Sequence, residues 1–194
     1  YQGKALPTRG SQVTVAAIPT KKLTIPPEKM YFRWFLDGKK QGYASGQGKD
    51  SLTFYVTKWP EEYHEVEMQI TDENGNLLNS YTIDIPVVEP ETILVKNDGL
   101  AIKEELITST GQTINLKAKP FFFSIKKPLE ELSFNWIFED QELANPDNSD
   151  PDLLVLTIPQ GKLKEVLIRN LKLVAKNKKN NSQTSLTNIT LKIR

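Results

Sequence analysis

The sequence predicts an all-β protein built as two tandem antiparallel β-sandwiches. Three observations carry this expectation. Apolar residues recur with a period of two in short runs, long helical patterns are nearly absent, and the second half of the chain repeats the apolar pattern of the first. The 194 residues suit one large domain or two small ones, because single domains usually run to about 100–150 residues.

The period-two runs come in order. Val13, Val15 and Ala17 alternate with polar or small residues, as do Leu52, Phe54 and Val56, then Val66, Met68 and Ile70, then Tyr81, Ile83 and Ile85. Successive side chains of a strand point to opposite faces, so each run predicts a half-buried strand. Between the last two runs lies Asp72-Glu73-Asn74-Gly75-Asn76. Asn-Gly suits the positive φ angles of a type I′ turn, which predicts a hairpin. The best helical candidates are Leu100–Thr108 and Lys58–His64, the second read as a loop or single turn. Twelve prolines and ten glycines fit many short strands with turns between them.

The repeat is of domain length. Val13, Val15, Ala17 and Pro19 match Ile114, Leu116, Ala118 and Pro120 at an offset of 101. Phe32 and Trp34 match Phe134 and Trp136 at 102, and Leu52, Phe54 and Val56 match Leu154, Leu156 and Ile158 at 102. Val66, Met68 and Ile70 match Leu171, Leu173 and Ala175 at 105, and Ile83 and Ile85 match Leu191 and Ile193 at 108. Slowly growing offsets are expected when insertions fall in loops. The boundary is placed within Pro86-Val87-Val88-Glu89-Pro90, giving domains 1–88 and 89–194 joined by a stiff, proline-flanked connection.

Composition excludes several function classes. With 38% apolar residues the chain has enough material for a core. Its 25 basic and 24 acidic residues nearly cancel, so no overall field draws it to nucleic acid or membrane. The absence of cysteine removes disulfides, thiolate metal sites and cysteine nucleophiles. No apolar run approaches the about 20 residues that span a bilayer, so no membrane insertion is expected within this segment. The chain opens on Tyr1, as expected of a mature or excised segment preceded by a signal peptide or anchor.

Around the two tryptophans the sequence reads Tyr31-Phe32-Arg33-Trp34-Phe35-Leu36-Asp37-Gly38 and Leu132-Ser133-Phe134-Asn135-Trp136-Ile137-Phe138-Glu139-Asp140. This resembles immunoglobulin-like and polycystic-kidney-disease-type domains, which place a core Trp on the third strand. Val66-Glu67-Met68-Gln69-Ile70-Thr71-Asp72 is similar to their penultimate strand. The resemblance implies two tandem immunoglobulin-like antiparallel β-sandwiches. Where the family commonly carries a tyrosine before that strand, this sequence has His64, with Tyr63 beside it, and the second domain has Arg169. Ser45-Gly46-Gln47-Gly48-Lys49 and Ala118-Lys119-Pro120-Phe121-Phe122 are also similar to uncharacterised surface proteins of Patescibacteria, a likeness that implies no activity.

No residue set marks catalysis, and no enzymatic activity or cofactor is expected. Gly42–Lys49 fails as a phosphate loop, because Tyr43 stands where a glycine is needed and Asp50 where a hydroxyl is needed. His64, the single histidine, has no nucleophile motif or histidine pair beside it, and a strand-edge or corner position is expected. The pairs Glu61-Glu62, Glu104-Glu105 and Glu130-Glu131 are adjacent, which does not face two carboxylates across a cleft.

Three groups remain as candidate interaction sites. The loop containing Asp147, Asn148, Asp150 and Asp152 is oxygen-rich enough for a weak cation site, although it lacks the glycine and closing glutamate of an EF-hand. An acidic turn is the plainer reading. From Gly161 to Arg194 nine basic residues face one acid, and Lys176, Lys178 and Lys179 cluster at the predicted last hairpin. They suit an anionic polymer or contact between copies, or simply guard a sheet edge. Phe121, Phe122 and Phe123 cannot all face one side of a strand, so at least one is expected to pack on the linker, the first domain or a partner.

The function expected is a noncatalytic extracellular or cell-surface module, acting as spacer, adhesion element or subunit of a surface assembly. Its partners would be a protein, a surface polymer or further copies of itself. Nucleic acid is not expected, because the lysines lack interleaved aromatics. The alternative is a carbohydrate-binding accessory domain, which needs aromatics in a row on one face. Tyr43, Tyr55, Trp59 and Tyr63 are the candidates.

Overall fold

The computed structural model describes residues 6–18, 26–96, 98–143 and 150–194. The chain is all-β and divides into two compact units, Tyr1–Val88 and Glu89–Arg194. Unit 1 contains β1 (Gln12–Ala16), β2 (Tyr31–Leu36), β3 (Lys39–Lys40), β4 (Gly46–Gln47), β5 (Ser51–Tyr55), β6 (Tyr63–Thr71) and β7 (Leu77–Pro86). Unit 2 contains β8 (Glu91–Lys96), β9 (Ala101–Ile102), β10 (Glu105–Thr108), β11 (Thr113–Phe121), a short helix α1 (Pro128–Glu131), β12 (Leu132–Phe138), β13 (Gln141–Glu142), β14 (Leu153–Thr157), β15 (Leu167–Asn177) and β16 (Thr184–Ile193).

Unit 2 is a complete sandwich. One sheet runs β14-β11-β8-β9 and the other β10-β16-β15-β12-β13, with β10 parallel to β16 and the remaining pairs antiparallel. This is the strand order of an immunoglobulin-like domain. The facing sides bury Leu94, Ile114, Leu116 and Leu154 against Trp136, Leu171, Leu173, Ile189 and Leu191. Among the described residues, unit 1 repeats the plan with fewer strands. Its sheets are β1-β5 and β3-β2-β6-β7, with β4 added to β2. Its core joins Leu52, Phe54 and Val56 to Phe32, Trp34, Val66 and Met68.

The two tryptophans occupy the same place. Trp34 pairs with Met68 and Trp136 with Leu173, and each is only 1% exposed. Each indole N–H donates to a carbonyl, Trp34 to Lys49 O at 2.9 Å and Trp136 to Pro151 O at 3.3 Å. In both units the residue after the β2 or β12 hairpin donates back to the Trp carbonyl, Gln41 to Trp34 and Leu143 to Trp136. A buried Trp removes about 150–250 Å² from water, worth about 4–6 kcal/mol by area.

The structure corrects four expectations. Leu100–Thr108 is not helical but forms β9 and β10, a case of short apolar runs that fit either period. The last strands match at an offset of 106 rather than 108, because Val66 pairs with Ile83 where Leu171 pairs with Ile189. A slip of two leaves every side chain on its original face, so alternation alone does not detect it. The turn at Asp72–Asn76 is not type I′. Gly75 N–H donates to Asp72 O, Asp72 N–H to Asn76 O, and only Gly75 has positive φ, at 85°. The Asp72 carboxylate accepts from the amides of Asn74 and Asn76 and selects this three-residue loop. Finally, β7 is not half-buried. Of its ten residues Ile85 is half-buried and the others are exposed.

Candidate functional site

The exposure of β7 is a clear difference between the two units. In β6 and β7, residues directly opposite share a face. Tyr81 pairs with Met68 and Ile83 with Val66, and both β6 partners lie in the core. Tyr81 and Ile83 therefore stand on the inward side of their sheet. Yet they are 55% and 47% exposed, whereas Ile189, the counterpart of Ile83, is 2% exposed.

What covers Ile189's side of unit 2 is β8. It pairs antiparallel with β11, Leu94 opposite Ala118 and Thr92 opposite Pro120. It also rests on β16: the Thr92 and Ser185 hydroxyls are hydrogen-bonded, and Thr187 Oγ1 donates to Thr92 O. Thr92 and Leu94 are buried as a result. Among the described residues of unit 1, no strand stands at this position. Val13, Val15 and Ala17 are half-buried, while their counterparts Ile114, Leu116 and Ala118 are buried. Asn79 and Tyr81 are exposed where Ser185 is buried and Thr187 half-buried.

The backbone of β1 faces this opening. Ala17 N–H donates to Asp50 O on the β5 side. Antiparallel ladders alternate their amides, so those of Thr14 and Ala16 point away from β5, as the amide of Lys117, the counterpart of Ala16, points towards β8 in unit 2. Among the described residues, this side of unit 1 presents β1 backbone groups beside the exposed Tyr81 and Ile83.

The other candidate residues are dispersed. Tyr43 donates to Thr53 O at 2.7 Å, and Tyr55 points to the outer face of the β1-β5 sheet. Tyr63 points to the outer face of the opposite sheet, since its neighbour His64 faces the core. Trp59 sits in the loop between, with the Arg9 guanidinium 3.7 Å from its ring centroid. These four aromatics therefore form no single row. Phe121, Phe122 and Phe123 are all half-buried, and Phe122 has φ 62°, which interrupts the strand alternation.

The lysine cluster is largely engaged within unit 2. Lys179 Nζ lies 2.9 Å from Glu131 Oε1, and Lys178 Nζ donates to Glu130 O at 2.8 Å, while Lys176 remains exposed. The Glu131 carboxylate also accepts from the amides of Lys126 and Lys127. The Lys179 hydrogen bond, followed by these two amides, lowers the Glu131 pKa from 4.5 to about 2. Of the cation loop, Asp147 and Asn148 lie outside the described residues. Asp152 is buried, with Oδ2 3.7 Å from Lys117 Nζ and Oδ1 without a hydrogen-bond partner, and Asp150 caps the turn by accepting from Leu153 N–H at its carbonyl.

His64 is not at an edge. It is 1% exposed, and its Nδ1 lies 2.8 Å from Asp37 Oδ2. Thr57 N–H donates to Nε2 at 3.2 Å, so Nε2 holds the lone pair and Nδ1–H donates to Asp37. The imidazole ties the β2–β3 turn to the loop after β5, a structural role with Phe54 edge-on at 5.2 Å.

No family model matches the chain. No curated protein matches it either. Solved structures are similar to it. Fibronectin(III)-like modules of Clostridium thermocellum CbhA are 10% identical with a TM-score of 0.36, covering all of this chain and 92% of that one. The three N-terminal domains of the bacteriophage RB49 Highly Immunogenic Outer Capsid protein are 15% identical with a TM-score of 0.47, covering 96% of this chain and 56% of that one. Bacteroides ovatus SGBP-B, in complex with a mixed-linkage heptasaccharide, is 10% identical with a TM-score of 0.28, covering all of this chain and 67% of that one. The fold assignment rests on the strand order of the chain itself.

Proposed function

We propose that the chain is a noncatalytic extracellular or cell-surface module that acts as a spacer, adhesion element or subunit of a surface assembly. The observation that supports this reading is the pair of immunoglobulin-like sandwiches in tandem, each with its own core around Trp34 or Trp136. Such modules supply reach and strand edges rather than a cleft, and Tyr81 and Ile83 add exposed apolar area on unit 1.

The test of location is protease treatment of intact source cells. Release of peptides from exposed segments, such as the loop around Trp59, is the expected result. Complete protection in intact cells, lost on lysis, contradicts a surface position.

A further inference from the structure

We propose that Asn74-Gly75, at the tip of the β6–β7 hairpin, is a self-modifying site, where the Gly75 amide nitrogen attacks the Asn74 side-chain carbonyl and the asparagine becomes aspartate or isoaspartate. The Gly75 N–H gives its proton to solvent base, the new N–C bond closes a succinimide ring, and the side-chain amide leaves as ammonia. Water then opens the ring at either carbonyl, so a water is consumed and an ammonia released. Glycine after the asparagine permits the ring, because it brings no Cβ to crowd the attack.

Three positions place an aspartate or asparagine before glycine: Asp37-Gly38, Asn74-Gly75 and Asp98-Gly99. The structure separates them. The Asp37 carboxylate lies 2.8 Å from His64 Nδ1 and accepts from the Glu65 amide at 3.1 Å. The Asp98 carboxylate accepts from the Leu100 amide at 3.0 Å. Asn74 is exposed, and its hydrogen bond runs through its backbone amide to Asp72 Oδ1 at 2.9 Å, which leaves its side-chain carbonyl free to turn. A neutral amide is also a better electrophile than a carboxylate. The nucleophile is restrained, since Gly75 N–H donates to Asp72 O at 3.1 Å and Asp72 Oδ1 holds the Asn76 amide at 2.8 Å. Attack therefore waits on opening of the turn, which lies at a loop tip where opening costs least. The Arg33 guanidinium reaches this turn, because a Cβ added to Gly75 meets Arg33 Nη2 at 3.2 Å. A cation there favours the amide anion that attacks, against the opposing charges of Asp72 and Glu73. Isoaspartate adds a methylene to the backbone inside the loop that Asp72 closes. The Asp72 carboxylate then no longer fits both amides, and the Thr71–Leu77 pair at the hairpin end loosens.

The test is incubation of the folded chain in mildly alkaline buffer, followed by peptide mapping across the β6–β7 hairpin by mass spectrometry and enzymatic labelling of isoaspartate. The expected result is conversion at Asn74 ahead of every other asparagine, with isoaspartate among the products. Asn74→Gln, which needs a larger ring, abolishes it. Asp72→Ala, which frees the turn and removes an opposing charge, accelerates conversion at least about threefold, and Arg33→Gln slows it about threefold. Three results overturn the proposal. One is an intact Asn74 in the folded chain after the urea-unfolded chain has converted fully. Another is faster conversion at a different asparagine. The third is a rate left unchanged by Asp72→Ala or by Arg33→Gln. If a variant fails to fold, the unsubstituted chain decides through the first two.

Discussion

Trp34 and Trp136 carry the logic of the fold at the scale of single residues. Each fills the space between two sheets and satisfies its one polar atom on a carbonyl fifteen residues later. Trp34→Ala and Trp136→Ala are each expected to destabilise the chain by about 3–5 kcal/mol, read from urea unfolding. Glu131 supplies a prediction with a pH sign. Its folded pKa of about 2 lies below the ordinary 4.5, so the carboxylate's contribution is complete above about pH 4.5 and is lost as pH falls through about 2. Glu131→Gln should flatten the acid limb of the stability curve, and carboxylate titration by NMR should place the midpoint near 2. The tryptophans were legible in the sequence because spacing and apolar neighbours repeat in both halves. His64 was not. Its burial depends on Asp37 and Thr57, which approach only after the sheets have formed.

At the scale of elements, the period-two runs announced the strands, but not what lies over them. Tyr81, Ile83 and Ile85 alternate as a buried strand should, yet two of the three are exposed because the neighbour present in unit 2 has no equivalent among the described residues of unit 1. Burial is a property of the neighbours, which a single run does not encode. The same limit explains the lysines. Lys178 and Lys179 read as a free basic cluster because their partners on α1 lie 48 residues away. Local signals fared unevenly as well: Asn74-Gly75 correctly marked a hairpin, while the Asp72 side chain decided its type. Gly75, at φ 85°, is the position that turn requires. Gly75→Ala should cost about 1–2 kcal/mol in thermal or chemical unfolding, with the hairpin retained.

For the whole molecule, one plan used twice accounts for the shared tryptophan positions and the matching core strands. The aromatic residues argue against a broad glycan platform, since Tyr55 and Tyr63 stand on opposite outer faces. Trp59→Ala is accordingly expected to leave retention on an insoluble polysaccharide unchanged in an affinity-electrophoresis or pull-down assay. The central claim is that the chain folds as two sandwiches of one design, each with its own core around Trp34 or Trp136. Native-state amide hydrogen exchange tests it most directly. The account predicts strong protection both in β6 and in β15, the strands hydrogen-bonded on both sides in their units. Protection in one unit with free exchange throughout the other would contradict it.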